Sequence, residues 1–165
     1  MILVTTGTNG AAFDRLIRAV QQLDAVEITE EIVVQCGAST LRPVNATCVD
    51  YVSYDDLVAL VREARVVVSH GGVGSILVAL TQGKRPLVVP RQREFGEVVD
   101  DHQLLLARRL ARDGLIGLVE NPDDLGTQLA AHDAVSTART GANRGLAEEL
   151  SLCIDLIVGA GSRER

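Results

Sequence analysis

The sequence predicts an α/β protein, a parallel sheet with helices on both faces, and three observations carry that prediction. Short β-branched runs alternate along the chain with segments of helical period. The runs are apolar throughout rather than alternating with polar residues, as expected of strands covered on both sides. The 165 residues, 47% hydrophobic and 23% charged, suffice for one compact unit with a buried core, a balance that disordered chains do not have.

The first strand is Ile2 to Thr5, and it leads through a Gly-containing turn to a helix carrying Phe13, Leu16, Ile17, Val20 and Leu23 on one stripe. Strands follow at Ile32 to Gln35 and Thr47 to Val52, then a helix with Leu57, Leu60, Val61 and Ala64. The buried strand Val66 to Ser69 enters a helix marked by Ile76, Leu77 and Leu80, and Leu87 to Val89 enters one marked by Val98, His102, Leu106 and Leu110. Leu115 to Val119 is the sixth strand. A last helix over 144–158 carries Leu146, Leu150, Cys153, Ile154 and Ile157 on one stripe, which either closes the core or docks a partner. The passage from Val135 to Gly141 is linker-like, 159–165 reads as a frayed tail, and residues 1–158 form the domain.

Composition narrows the function. Sixteen Lys and Arg against 22 Asp and Glu leave a net charge of −6, which repels a nucleic-acid backbone. With no Trp, two Tyr and two Phe, stacking platforms for bases or sugar rings are nearly absent, so a sugar must be held by hydrogen bonds. Cys36, Cys48 and Cys153 form no CxxC pair and are odd in number, which fits a reducing cytoplasm better than a secreted disulfide scaffold. The apolar run Met1 to Val4 is too short for a signal or a spanning segment, so the chain is expected not to enter a membrane by itself.

In an open parallel sheet, ligands bind where strand ends lead into helix N-termini. The most informative such loop is Ser69-His70-Gly71-Gly72-Val73-Gly74-Ser75. Either it packs helix on strand, or its glycines admit an anion to the free N–H groups of Gly74 and Ser75, with His70 as a further donor. The loop Thr6-Gly7-Thr8-Asn9-Gly10 has neither a Walker lysine nor the dinucleotide glycine spacing, so it is a flexible turn or a ligand contact outside those two classes. Arg91 and Arg93 suit phosphates or the surface. Asp100, Asp101, His102 and Gln103 suit hydroxyl groups or a solvated helix start; adjacent helical residues point apart, so no metal site is expected among them. A serine hydrolase using Ser75 lacks the G-x-S-x-G elbow.

Four ordered motifs together resemble the glycosyltransferase family 28 C-terminal domain. They are Val4-Thr5-Thr6-Gly7-Thr8 with Phe13-Asp14-Arg15-Leu16, the segment Ser69 to Ile76, the segment Gly83 to Arg91, and Val99-Asp100-Asp101-His102-Gln103. Within that family the sequence is most similar to stand-alone UDP-sugar-binding subunits of two-component transferases. The resemblance implies a Rossmann-like domain, the C-terminal half of the two-domain GT-B fold. It also implies a UDP-sugar donor as substrate, no metal and no other cofactor, and a hexosyl transfer with inversion. A second, membrane-associated subunit would bind the acceptor, leaving this chain cytoplasmic at the membrane's inner face.

By the same resemblance, His70 is the catalytic group and Gly71, Gly72, Gly74 and Ser75 contact the diphosphate. Asp101, His102 and Gln103 lie near the donor sugar, and Gly7 and Thr8 line the cleft between the two halves. One position departs from the family pattern: Val78 stands where an acidic residue usually holds the ribose. That departure keeps open a non-catalytic, nucleotide-sugar-binding or scaffold role. The general base is unassigned between Asp14, Glu94, Glu97 and the other half.

Overall fold

A computed structural model gives the structure of the protein over residues 1–23 and 28–136. The expected helix at 144–158, the tail 159–165 and Cys153 lie outside the described residues. Six strands, β1 (Ile2–Thr5), β2 (Ile32–Gln35), β3 (Thr47–Val49), β4 (Val66–His70), β5 (Leu87–Val89) and β6 (Gly117–Leu118), form one sheet in the order β3-β2-β1-β4-β5-β6. Every pairing is parallel. The helices are α1 (Asp14–Gln21), α2 (Tyr54–Glu63), α3 (Val73–Thr81), α4 (His102–Arg112) and α5 (Leu125–Ser136).

The pleat sends successive residues to opposite faces. Ile2, Val4, Val66 and Val68 pack with Phe13, Leu16, Ile17 and Val20 of α1 and its approach and with Leu125 and Leu129 of α5. Leu3 and Val67 face the other way, onto Val61 of α2 and Val78 and Ala79 of α3. Val88 meets Ile76, Ala107 and Leu110 between α3 and α4. The uninterrupted apolar runs of β1 and β4 thus reflect two cores, one on each face.

Four expectations need correction. β3 and β6 are not buried on both faces: Thr47 is exposed and Gly117 and Leu118 are half-buried, because each strand is an edge with one neighbour. β3 ends at Val49 rather than Val52, since the Asp50 carbonyl already accepts from Gly37 N and Gln35 Nε2 as the chain turns toward α2. Ser53 then caps α2, its Oγ accepting from Asp56 N at 3.1 Å. α4 begins at His102, not Val98, because a 3₁₀ turn at Arg93–Phe95 ends in Gly96 at φ +68°, a left-handed conformation that breaks the approach to the helix. Finally, Leu125–Ser136 is a helix, so Val135 and Ser136 belong to α5 rather than to a linker.

Strand order reverses between β1 and β4, and there the loops leaving the two strands diverge to opposite faces, opening a crevice at their carboxyl ends. Thr5 pairs with Ser69, so Gly7 and His70 emerge side by side at that point.

Candidate functional site

A cleft of about 190 Å³ opens at this switch point. Its lining includes six of the residues singled out from sequence, Gly7, Thr8, His70, Gly72, Gly74 and Ser75, together with Thr5, Gln35, Val52 and Leu57. Gly71, Arg91, Asp101, His102 and Gln103 lie outside that lining.

His70 ends β4 with 8% of its surface exposed. Its imidazole edge sits between two glycines. A Cβ at Gly7 would fall 2.3 Å from His70 Cε1, and one at Gly72 would fall 2.2 Å from Nε2, so no side chain fits at either position while the ring stays in place. Gly7 also adopts φ +79°. Nδ1 is buried without a hydrogen-bond partner. Burial, and then the positive charge of Arg91, push the His70 pKa down to about 4, while the Thr5 backbone favours protonation least of the three. The ring is therefore neutral near pH 7, a donor at one nitrogen and an acceptor at the other.

α3 starts at the opposite lip. Its N-cap is Gly72, with no side-chain capping bond and no acid in the first turn. The amides at the start of α3 are left for a ligand, at the positive end of the helix dipole. A Cβ at Gly74 would meet nothing within 4 Å, so this edge is open to a group from outside. Backbone donors, a helix dipole and a neutral imidazole are groups that can together hold a polyanion such as a diphosphate. Among the described residues, no group of three or more His, Cys, Asp or Glu is placed to hold a metal ion.

Gly71 and Gln103 meet just behind the cleft. A Cβ at Gly71 would lie 2.8 Å from Gln103 Cβ and 3.3 Å from Pro90 Cα, so glycine there lets the α4 N-terminus approach β4. Gln103 Oε1 accepts from Arg91 N at 3.3 Å. Asp101 and His102 are exposed at the start of α4. Asp101 Oδ1 accepts from Arg93 N at 2.9 Å, and His102 Nδ1 faces Asp100 Oδ1 at 2.9 Å.

Arg91 is placed differently from the phosphate contact that its charge suggested. It is 1% exposed; Nη1 donates to Ala12 O at 3.0 Å and Nη2 to Thr6 O at 3.1 Å, with the guanidinium 4.6 Å over the Phe13 ring. Its charge holds both ends of the β1–α1 loop from beneath and biases His70 at a distance. The candidate bases are also engaged. Asp14 accepts from Ser39 Oγ, and Glu97 is locked by Arg15; Glu94 is exposed on the 3₁₀ turn. Val78 packs against Leu3, Val61 and Val67 in the core between the sheet and α2. Cys36 is buried and its thiol is pushed up to about 11, by burial first and then by the neighbouring Cys48, which leaves it unreactive.

Sequence reasoning missed Gln35. It is 3% exposed at the end of β2 and hydrogen-bonds Thr5, Gly7 and Asp50. The signal was present: a polar residue closing an otherwise apolar strand, Ile32 to Gln35.

Among solved structures, the glycosyltransferase SnogD from Streptomyces nogalater matches 93% of this chain and 39% of its own, with a TM-score of 0.58 at 21% identity. The glycotransferase of kitacinnamycin matches 92% and 37%, with a TM-score of 0.60 at 23% identity. Sheet order and these likenesses define the class: a Rossmann-like domain of the kind that forms the C-terminal half of GT-B glycosyltransferases. The glycosyltransferase family 28 C-terminal domain matches residues 1–143, and the chain belongs to that family. The UDP-N-acetylglucosamine transferase subunit ALG13 of Mus musculus is 33% identical over 121 residues, 67% of this chain; that of Homo sapiens is 32% identical over 123, or 68%. The chain spans about a tenth of the length of these two relatives. ALG13 of Yarrowia lipolytica is 36% identical over 72 residues, 44% of this chain and 35% of its own.

Proposed function

We propose that this chain is the UDP-sugar-binding catalytic subunit of a two-component glycosyltransferase. It passes a hexose unit, with inversion, to a lipid-linked or saccharide acceptor presented by a membrane-associated second subunit. The observation that carries this reading is the neutral His70 imidazole, its buried Nδ1 without a hydrogen-bond partner, at the same cleft as the uncapped start of α3. As the bond from the anomeric carbon to the diphosphate breaks, negative charge collects on the diphosphate oxygens. Preorganised amides and an imidazole N–H stabilise it there without a cation. Gly7 and Gly72 let the chain close on the ring, and Thr8 and Ser75 offer hydroxyls beside it. Asp101, His102 and Gln103 at the α4 start are assigned to the donor sugar.

The second subunit is inferred from the relatives, which are named as subunits. Of the candidate bases, Asp14 and Glu97 are tied within the fold, which leaves exposed Glu94 or a group of the partner to take the acceptor proton. No helix among the described residues is long and apolar enough to cross a membrane, and attachment to a membrane is assigned to the partner. Val78, sealed in the core where a ribose-binding acid is expected, favours a second reading in which the chain binds a nucleotide sugar without catalysing its transfer.

Calorimetric titration with UDP in the presence of a chelator tests the donor site. The expected result is binding that His70→Ala weakens at least tenfold, since a hydrogen bond to a charged group typically contributes about 1.5–3 kcal/mol. Unchanged affinity in His70→Ala removes the assignment. Transfer from UDP-N-acetylglucosamine by the reconstituted pair then separates the two readings: binding without turnover leaves only the second.

A further inference from the structure

Gln35 uses its whole hydrogen-bonding capacity on the walls of the cleft. Oε1 accepts from Thr5 Oγ1 at 2.7 Å and from Gly7 N at 3.1 Å; Nε2 donates to Gly7 O at 3.0 Å and to Asp50 O at 3.0 Å. An amide side chain that grips both the N–H and the C=O of one residue imitates a neighbouring strand, and here it does so just past the end of β1, where the ladder with β2 has run out. Gly7 is the residue at which a Cβ would fall 2.3 Å from Cε1 and 2.4 Å from Nε2 of His70, the same ring edge that Gly72 crowds. With no free valence on its amide, Gln35 is not available to read a ligand directly, although it borders the cleft.

We infer that Gln35 is a positioning residue: by clamping Gly7 it fixes the His70 imidazole against Gly72 and so aims its ring nitrogen at the group bound in the cleft. The inference rests on the proposed role of His70 in holding the diphosphate. Asp50 O is the fourth partner, so the same amide ties the β3–α2 connection, with Val52 and Leu57 beyond it, to the β1–α1 loop. A residue that only filled space at this point would need no polar atoms; buried polar groups are retained where each bond is made, and here all four are.

The test is a double-mutant cycle on UDP affinity, using the full chain with Gln35→Met, His70→Ala and the two combined. If Gln35 acts through His70, Gln35→Met weakens UDP binding about as much as His70→Ala does, and adds less than a further twofold when His70 is already alanine. Equal losses in both backgrounds would mean that Gln35 merely supports the cleft wall, and would overturn the inference. Gln35→Glu keeps the shape and both acceptors but turns a carboxylate oxygen on the Gly7 and Asp50 carbonyls and adds negative charge beside the cleft, so its affinity is expected to fall at least as far as that of Gln35→Met. Affinity in Gln35→Glu equal to wild type overturns the inference too.

Two measurements on the native protein stand apart from the variants. The Gly7 amide should exchange with solvent at least 100-fold more slowly than an open loop amide, and the His70 ring protons should show one fixed environment; rapid exchange at Gly7 overturns the clamp even if neither variant folds. Should the native chain bind no UDP, the proposed function fails by itself. The ring and amide signals then decide the clamp separately: a His70 ring signal unmoved by Gln35→Met counts against it.

Discussion

At the scale of single residues, the site is governed by how tightly His70 is enclosed. Its ring fills the space that a Cβ at Gly7 or Gly72 would take, and a buried arginine that stays charged lies near enough to disfavour a second positive charge. The folded pKa of about 4 lies below the ordinary histidine value near 6.5, so between those values the unfolded chain binds the extra proton and the native one does not. Stability therefore rises with pH through that window and is lost as pH falls from about 6.5 toward 4. The full difference amounts to about 3 kcal/mol at roughly 1.4 kcal/mol per pKa unit. Glu30 and Glu120, held low by hydrogen bonds from Arg65 and Arg108, have the same sign but act below the ordinary carboxylate range, so the two contributions separate in pH. Urea unfolding from pH 7.5 to 4.5 should show a slope that His70→Ala flattens. A slope identical in the two proteins would mean that His70 is solvated and protonates normally.

At the scale of elements, the cleft is flanked by ties between helices and loops outside its lining. Arg15, on α1, reaches the β5–α4 connection: Nε donates to Glu97 Oε1 at 3.0 Å, Nη2 to Glu97 Oε2 at 2.9 Å and to Pro90 O at 2.9 Å, with Phe95 stacked 4.5 Å from the guanidinium. Glu97 is 7% exposed and also accepts from Gln92 N at 3.0 Å. Removing one member of a buried pair strands the other, so Glu97→Ala should cost about 3–5 kcal/mol in denaturant unfolding and Glu97→Gln less; a loss below about 1 kcal/mol would class the pair with surface bridges. This pair also marks the limit of what the sequence discloses. The strands Ile2–Thr5, Ile32–Gln35 and Leu87–Val89 are legible because an apolar run between turn residues has few alternatives, and the Gly-rich loop after β4 is legible because glycines at a strand-to-helix step have few structural uses. α5 is not, because Gly126, Thr127 and Gln128 interrupt its apolar stripe and its helicity comes from packing Leu125 and Leu129 under the sheet. Arg91 and Glu97 look like site charges in a linear reading. Only the fold shows that each is enclosed, Arg91 bonded to the Thr6 and Ala12 carbonyls and Glu97 to the Arg15 side chain, partners far away in sequence.

At the scale of the whole molecule, the cleft is a meeting place of four strands rather than an attachment to one of them. Thr5 and Gly7 come from β1 and the loop after it, Gln35 from β2, Val52 and Leu57 from the path after β3 and from α2, and His70, Gly72, Gly74 and Ser75 from the end of β4 and the start of α3. The central strands that carry them form both cores, so opening the cleft means separating β1 from β2 or β4. A ligand held there should thus oppose unfolding of the whole sheet and not of one loop. By mass action, UDP at 100 times its dissociation constant adds about 2.7 kcal/mol, and for a chain of this size about 2–4 °C of melting temperature accompanies each kcal/mol. A rise of about 5–10 °C is expected with a chelator present, because the charge receptor is made of amides and an imidazole. The same concentration of uridine, which lacks the diphosphate, should give a much smaller rise. A shift that appears only when Mg²⁺ is supplied would move the charge stabilisation from the protein to a cation, and equal shifts from UDP and uridine would place the binding energy at the nucleoside instead of at His70 and the start of α3.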